Sequence, residues 1–390
     1  MILSIPIAWL QLTQQRLRFI VTLAGIAFVV ILIFMQVGFQ DALYTSATHL
    51  HTNLRTDLIL VSSQYKSLTS QQSFPRSRLY QALGFNGVES VSPIYFQFSM
   101  LKNPQNGQKN SIFFIGFDVA KPILNLSEVS ENINKLKIPD VVLFDRESRL
   151  EFGPIAEKFE REKSVDFEIA SYNEERGYRV KVGGLFSLGP SFGADGNLIT
   201  NYLTFLRALP RRQADKIDVG LITLKPGTDI QKVRLNLLSN FPKDVKILTK
   251  QEFVDLEKHY WAVRTPIGFL FNLSVTMGFI IGIAIVYQIL YTNISNHLTE
   301  YATLKAMGFT NNYLLGIVFR QALLLAILGY IPGFTIAFSL YDLANNATHL
   351  PINMEINKAL MVLLSVFLMC LISATIAIGK LRSADPADIF

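Results

Sequence analysis

The chain has 390 residues, half of them apolar and only 17% charged, with a net charge of +6 and a mean hydropathy of +0.31. A soluble domain averages about 25% charged residues, so this balance predicts membrane spans. Of the 36 Lys and Arg, 29 lie within residues 41–264 among 25 Asp and Glu; they are interspersed and form no basic run, which excludes an electrostatic footprint for nucleic acid.

In chain order, residues 1–18 read as an N-terminal interfacial segment in which Trp9 sits at headgroup level, although a plain extension of the first span fits the same residues. Four segments are long and apolar enough to cross a bilayer, which takes about 20 residues: 19–40, 265–292, 313–340 and 359–379. The first is too long for the apolar core of a signal peptide and no small-x-small cleavage site follows it, so it reads as an uncleaved span. Arg16, Arg18, Lys305, Lys380 and Arg382 all fall on one side of a four-span topology. The positive-inside rule then makes both termini cytoplasmic. The segment 293–312 and the tail 380–390 share that side, while 41–264 and the short loop 341–358 lie outside.

The large outer segment is rich in strand patterns. Asp57–Ser62, Val88–Met100, Ser111–Phe117, Val141–Phe144, Arg179–Gly184, Asp218–Leu224 and Val245–Leu248 predict strands, and Arg76–Leu83 and Asp229–Ser239 predict helices. This interleaving predicts an α+β domain between the first and second spans, with an inserted subdomain at about 139–210. Leu43–Leu54 extends the first span, and Val254–Val263 runs on into the second, giving two helical stalks.

Within the spans, Gly278 and Gly282 form a small-xxx-small pair suited to close helix packing, within the chain or across a dimer. Pro332-Gly333 is expected to kink the third span or loosen its outer end. Arg320 is expected to snorkel toward the cytoplasm; a buried functional arginine is the competing reading. Cys370, alone in an apolar span, reads as a packed thiol.

Between the second and third spans the chain turns polar. Asn293, Asn296, His297, Thr299 and Glu300 have no place in hydrocarbon without partners. Leu298, Tyr301 and Ala302 share one helical face with the stem of Lys305, and Asn296, Glu300 and Thr303 lie opposite. One face can pack on the span ends while the other meets a cytoplasmic partner.

Chemistry of its own is missing from the motifs. There is no G-x-x-x-x-G-K-[ST] loop for a nucleotide and no nucleophile elbow or Cys/His pair. His49 and His51 point to different sides of a helix and read as exposed. His297 and Glu300 have i, i+3 spacing but no third metal ligand nearby. Asp145, Glu147 and Glu151 stand among Arg146 and Arg149 and read as solvated ion pairs. The expectation is no catalytic residue, no metal and no cofactor.

The layout of one span, a large outer domain and three further spans resembles the MacB/FtsX-like ABC transporter permeases, the type VII or mechanotransmission family. His297–Gly308 (HLTEYATLKAMG) resembles their cytoplasmic coupling segment. Phe144–Gly153, Gly184–Thr200, Glu257–Trp261, Thr265–Gly268, Val286–Tyr291 and Ala384–Phe390 are similar to the DevC-type permease of cyanobacterial glycolipid exporters. Asn293 and Asn296 stand where that subfamily usually has acids, and Thr299 where it has proline.

The resemblance implies a permease in the inner membrane that is not itself an enzyme, with ATP hydrolysed on a separate cytoplasmic ABC ATPase subunit. It implies that His297, Leu298, Glu300, Tyr301, Leu304, Lys305, Met307 and Gly308 couple to that ATPase. It further implies a permease homodimer, a periplasmic membrane-fusion adaptor, a TolC-like outer-membrane channel, and a lipid or glycolipid cargo. The alternative is an FtsX-like signalling or scaffold role that regulates a periplasmic enzyme without transport.

Overall fold

The computed structural model describes residues 4–14, 16–70, 72–172, 174 and 176–383. The resemblance-bearing segment Ala384–Phe390 lies outside them. The chain divides into a helical body, formed by residues up to Ala42 with Pro266–Thr348 and the residues from Ile352 onward, and a mixed body of Leu43–Thr265 with His349–Pro351. The first two helices are α1 (Ser4–Thr13) and α2 (Arg16–Asn53). α2 is unbroken for 38 residues, so the first apolar segment and its extension are one helix.

The mixed body follows in the order β1 (Leu58–Ser62), β2 (Phe74–Pro75), α3 (Arg76–Gln81), β3 (Val88–Lys102), β4 (Lys109–Phe117), α4 (Ser127–Asn132), β5 (Val141–Asp145), α5 (Ile155–Glu162), β6 (Asp166–Ala170), β7 (Tyr178–Phe186), β8 (Asn197–Asn201), α6 (Tyr202–Ala208), β9 (Lys216–Ile217), β10 (Val219–Leu224), α7 (Ile230–Asn240), β11 (Val245–Thr249) and α8 (Lys250–His259). Nine strands form one sheet in the order β11-β1-β10-β3-β4-β8-β5-β7-β6. β3 is long enough to pair with β10 through Val88–Ile94 and, at its far end, with β6 through Met100–Lys102. That last pairing closes β3, β4, β8, β5, β7 and β6 into a circuit, which removes the open edge β6 would otherwise present. Residues 139–210 thus enter between β4 and β10 in sequence and continue the same sheet.

Both faces of this sheet are covered, which explains why β1 reads LILVS without alternation. Leu58 and Leu60 face a core with Leu79 of α3, Phe205 of α6 and Leu237 of α7. Ile59 and Val61 face a second core with Leu50 and Leu54 of α2, Val129 of α4 and Phe253 of α8. β11 passes directly into α8 through a capping box in which Thr249 and Glu252 satisfy each other's backbone N–H groups.

Two buried aspartates hold the loops. Asp218 accepts from the Phe96 N–H at 2.8 Å, the Ser73 hydroxyl at 3.0 Å and the Arg212 guanidinium. Asp145 ends β5 fully buried. It accepts from Asn197 Nδ2 at 2.7 Å and from the N–H groups of Gly189, Leu188 and Glu147 at 2.9–3.2 Å. This corrects the solvated ion-pair reading: Arg146 pairs with Glu128 and Arg149 with Asp195, and Asp145 clamps the 188–197 loop. Burial pushes its carboxyl up to about 6, against the hydrogen bonds from Asn197, Leu188 and Glu147.

The histidines also differ from expectation. His51 is buried, its Nε2 3.4 Å from Glu257, and His49 Nδ1 lies 2.6 Å from the Leu188 carbonyl oxygen. Glu257 accepts from the Leu68 N–H and from Trp261 Nε1, each at 3.0 Å. The i, i+2 spacing of the histidines argues against a shared metal but does not show that His51 is buried at the end of α2. The second stalk is not continuous. After α8 come a π-helical turn at Tyr260–Arg264 and an extended Thr265, and Pro266 then opens a new helix, as the restricted backbone before proline favours.

The helical body is completed by α9 (Pro266–Asn296), α10 (Leu298–Ala306), α11 (Asn311–Thr348) and α12 (Ile356–Ser383). Among the described residues four helices are long and apolar enough to cross a membrane: Arg16–Asn53, Pro266–Asn296, Asn312–Thr348 and Ile356–Ala377. α11 continues through Pro332 and beyond Leu340 to Thr348, so the proline does not end it. Beyond the proline, the Tyr341 hydroxyl donates to the Phe34 carbonyl on α2. Small residues set the spacing. A Cβ at Gly282 would overlap Met369 of α12 and lie 2.7 Å from Val29 of α2, and one at Gly329 would lie 2.5 Å from Ile26. Gly282 therefore serves packing within the chain; a Cβ at Gly278 would meet only Ile33, at 3.9 Å. Lys358 of α12, 8% exposed, bridges Asp41 of α2 at 2.5 Å and Glu355 at 3.6 Å.

Candidate coupling site at the end of the helical body

α9 stops where its sequence stops being apolar. His297 leaves helical geometry, with φ −106° and ψ 18°, and α10 starts at the next residue. The far end of α10 is closed at Gly308, whose φ of +89° is left-handed and favours glycine. There the Gly308 and Phe309 N–H groups return to the carbonyls of Lys305 and Leu304 at 3.0 and 3.1 Å. Phe309 then stacks on Tyr313 of α11 at 4.7 Å.

One side of α10 is tied into the bundle by a chain of side chains. Gln11 of α1 is central: its Nε2 donates to Glu300 Oε2 at 2.9 Å. Its Oε1 accepts from the Tyr301 hydroxyl at 3.3 Å and from Gln321 Nε2 at 2.8 Å. Gln321, fully buried on α11, accepts from Asn293 Nδ2 of α9 at 3.1 Å. Glu300 also meets His297 Nδ1 at 3.1 Å. This polar clasp joins α1, α9, α10 and α11, and among apolar helices such a network is satisfied only when every member is in place. Partial burial opposes ionisation of Glu300, but the hydrogen bonds from Gln11 and His297 prevail and hold its carboxyl below the usual carboxylate range. Burial raises the Tyr301 phenol, keeping it a donor.

The residues singled out on this segment divide into two sets. His297 and Tyr301 are buried, at 7% and 2% exposure, and act inside the clasp, so they are not available on an outer face. Leu298, Leu304 and Lys305 are half-buried, and Glu300, Met307 and Gly308 are exposed. Met307 at 70% is the most exposed large apolar side chain of the segment. Lys305 makes no ion pair among the described residues. Arg320 is half-buried one position before Gln321. Gln11 and Gln321 carry the clasp and were not singled out. Their signal was a glutamine placed where a membrane helix has to satisfy it. Among the described residues no group of three His, Cys, Asp or Glu could hold a metal.

Residues 272–386 match the family model described as FtsX-like permease C-terminal. This FtsX-like part takes in nearly all of α9 and the whole of α10 and α11, so the clasp, Gln11 apart, lies within it. The chain is also similar to two solved extracytoplasmic domains. The periplasmic region of MacB from Actinobacillus actinomycetemcomitans aligns over 52% of this chain and 92% of its own, at 12% identity and a TM-score of 0.34. The extracellular domain of the noncanonic ABC-type transporter YknZ from Gram-positive bacteria aligns over 50% and 99%, at 13% identity and a TM-score of 0.33. Among curated proteins, none matches significantly.

Proposed function

We propose that the chain is the permease subunit of an ABC-type exporter and that α10 is its docking element for a separate cytoplasmic ATPase. The observation that carries this reading is the clasp, which ties the short exposed helix of an FtsX-like permease part to three other helices. A push on α10 is then a push on α1, α9 and α11 together, since packed helices shift as units. In this reading 19–40, 265–292, 313–340 and 359–379 cross the inner membrane with both termini cytoplasmic, as the positions of Arg16, Arg18, Lys305, Lys380 and Arg382 favour. The mixed body lies in the periplasm, and α2, unbroken from Arg16 to Asn53, carries the displacement outward.

The subfamily and partners follow the sequence resemblance. The chain is read as a DevC-type permease working as a homodimer with a membrane-fusion adaptor and a TolC-like channel, and exporting a lipid or glycolipid. Its mechanism requires no chemistry of its own: ATP is hydrolysed on the partner, and the permease converts the closure of that ATPase into a change of shape outside the membrane.

Two substitutions test the two faces of α10. Lys305→Glu reverses a half-buried cation outside the clasp and is expected to reduce permease-stimulated ATP hydrolysis at least tenfold, with normal membrane insertion. Glu300→Gln keeps the shape but removes the charge that Gln11 and His297 address, and is expected to cause a smaller loss. Hydrolysis by the reconstituted complex is the measurement; wild-type stimulation in both variants would remove α10 from the docking surface.

A further inference from the structure

The same end of the helical body holds a cavity of about 340 Å³ between α1, the first turns of α2 and the last turns of α9. One wall is a polar ladder on α9, where Gln288, Thr292 and Asn296 recur every four residues and so share a face. Arg18 of α2 also lines the cavity. At the rim Leu17 and Val21 are 78% and 64% exposed. Among the described residues no acidic side chain lines the cavity. Among the described residues Arg18 has no ion pair, and the side-chain amides of Gln288 and Asn296 have no hydrogen bond.

A guanidinium and free amides lining one cavity can together address a phosphate diester, while the nearby Glu300 carboxylate is taken up by Gln11 and His297. The rim adds what a soluble anion would not use: two large apolar side chains beside the charge, at the end of two membrane-length helices. Basic pockets between helices on the cytoplasmic side are suited to anionic headgroups, and the volume falls in the range of small-ligand sites. We propose that this cavity binds one anionic phospholipid of the inner leaflet, its phosphate at Arg18 and the α9 ladder and its acyl chains against Leu17 and Val21. The proposal rests on the reading of α2 and α9 as membrane spans with this end cytoplasmic. The cavity shares Gln11, Asn293 and His297 with the clasp, so the bound lipid braces α1 against α9 beside the coupling element.

The test is native mass spectrometry of the delipidated full chain, supplied in turn with phosphatidylglycerol, phosphatidylcholine or inorganic phosphate. One phosphatidylglycerol is expected per chain, retained at least tenfold better than phosphatidylcholine. Arg18→Gln should lose that preference and Arg18→Lys should keep most of it. Arg16→Gln, an equally exposed position that does not line the cavity, should behave as wild type. Equal retention of both lipids, or equal losses at Arg16 and Arg18, would overturn the proposal in favour of general annular lipid. Binding of inorganic phosphate as tight as that of phosphatidylglycerol would overturn it in favour of a soluble anion. Lys305→Glu should retain the lipid while losing ATPase stimulation, so failure of the lipid site and failure of the coupling reading give different results.

Discussion

Asp218→Ala is expected to destabilise the mixed body by about 3–5 kcal/mol, the range for removing one partner from a buried ion pair. Asp218 is fully buried and Arg212 is 15% exposed, so the guanidinium left behind has little water to turn to. The Phe96 N–H loses its acceptor at the same time, and a buried unsatisfied donor costs about 1–3 kcal/mol; the two losses overlap and do not add. The position is central: β10 starts at the next residue and pairs with both β1 and β3. Denaturant unfolding followed by emission from the buried Trp261 measures the effect. The exposed pair Arg78–Asp244, at 3.1 Å with side chains 30% and 46% exposed, supplies the control. Asp244→Ala should cost no more than about 1 kcal/mol, and equal costs at the two sites would contradict the clamp assigned to Asp218.

Gln321→Leu is expected to uncouple the permease with little change in its fold content. Leucine matches glutamine in volume and suits an apolar helix, so α11 should still form and insert. The clasp loses its centre: Asn293 Nδ2 loses its acceptor, and Gln11 Oε1 keeps only the 3.3 Å contact with Tyr301. One donor left without its partner, at about 1–3 kcal/mol, is enough to shift an equilibrium between held and released α10 by about tenfold, since about 1.4 kcal/mol is one factor of ten. Stimulated ATP hydrolysis should fall by that factor. Gln321→Glu, which keeps an acceptor for Asn293, should lose less. Full stimulation in Gln321→Leu would show that the clasp is a packing detail.

Much of this architecture is legible in the residues themselves. Apolar length alone marks the membrane-type helices, and short runs of strand-forming residues place β1, β3, β4, β5, β7, β10 and β11 within a few residues. β6 (DFEIA) and β8 (NLITN) escape notice because they gain their strand character from neighbours, β6 by closing on β3 and β8 by pairing between β4 and β5. Partners across the fold are the harder part. Asp145 reads as one more charge among arginines until the loop carrying Gly189 and Asn197 folds back over it, and His51 reads as exposed until Glu257, some 200 residues later, packs against it. At the candidate site, α10 and its closing glycine are local features of sequence and are seen as such. What the local pattern does not show is that Gln11, from the opposite end of the chain, meets Glu300 and Tyr301 there.

The central claim is that α10 lies in the cytoplasm against an ABC ATPase, and a single cysteine tests it most directly. Cys370 is buried, so Met307→Cys in a Cys370→Ala background adds one reactive thiol at the most exposed apolar side chain of the segment. Bifunctional thiol cross-linking in membranes holding the complex should join position 307 to the ATPase subunit. A membrane-impermeant maleimide should reach that thiol only from the cytoplasmic face. Labelling from the outer face, or cross-links that never include an ATPase, would contradict the account.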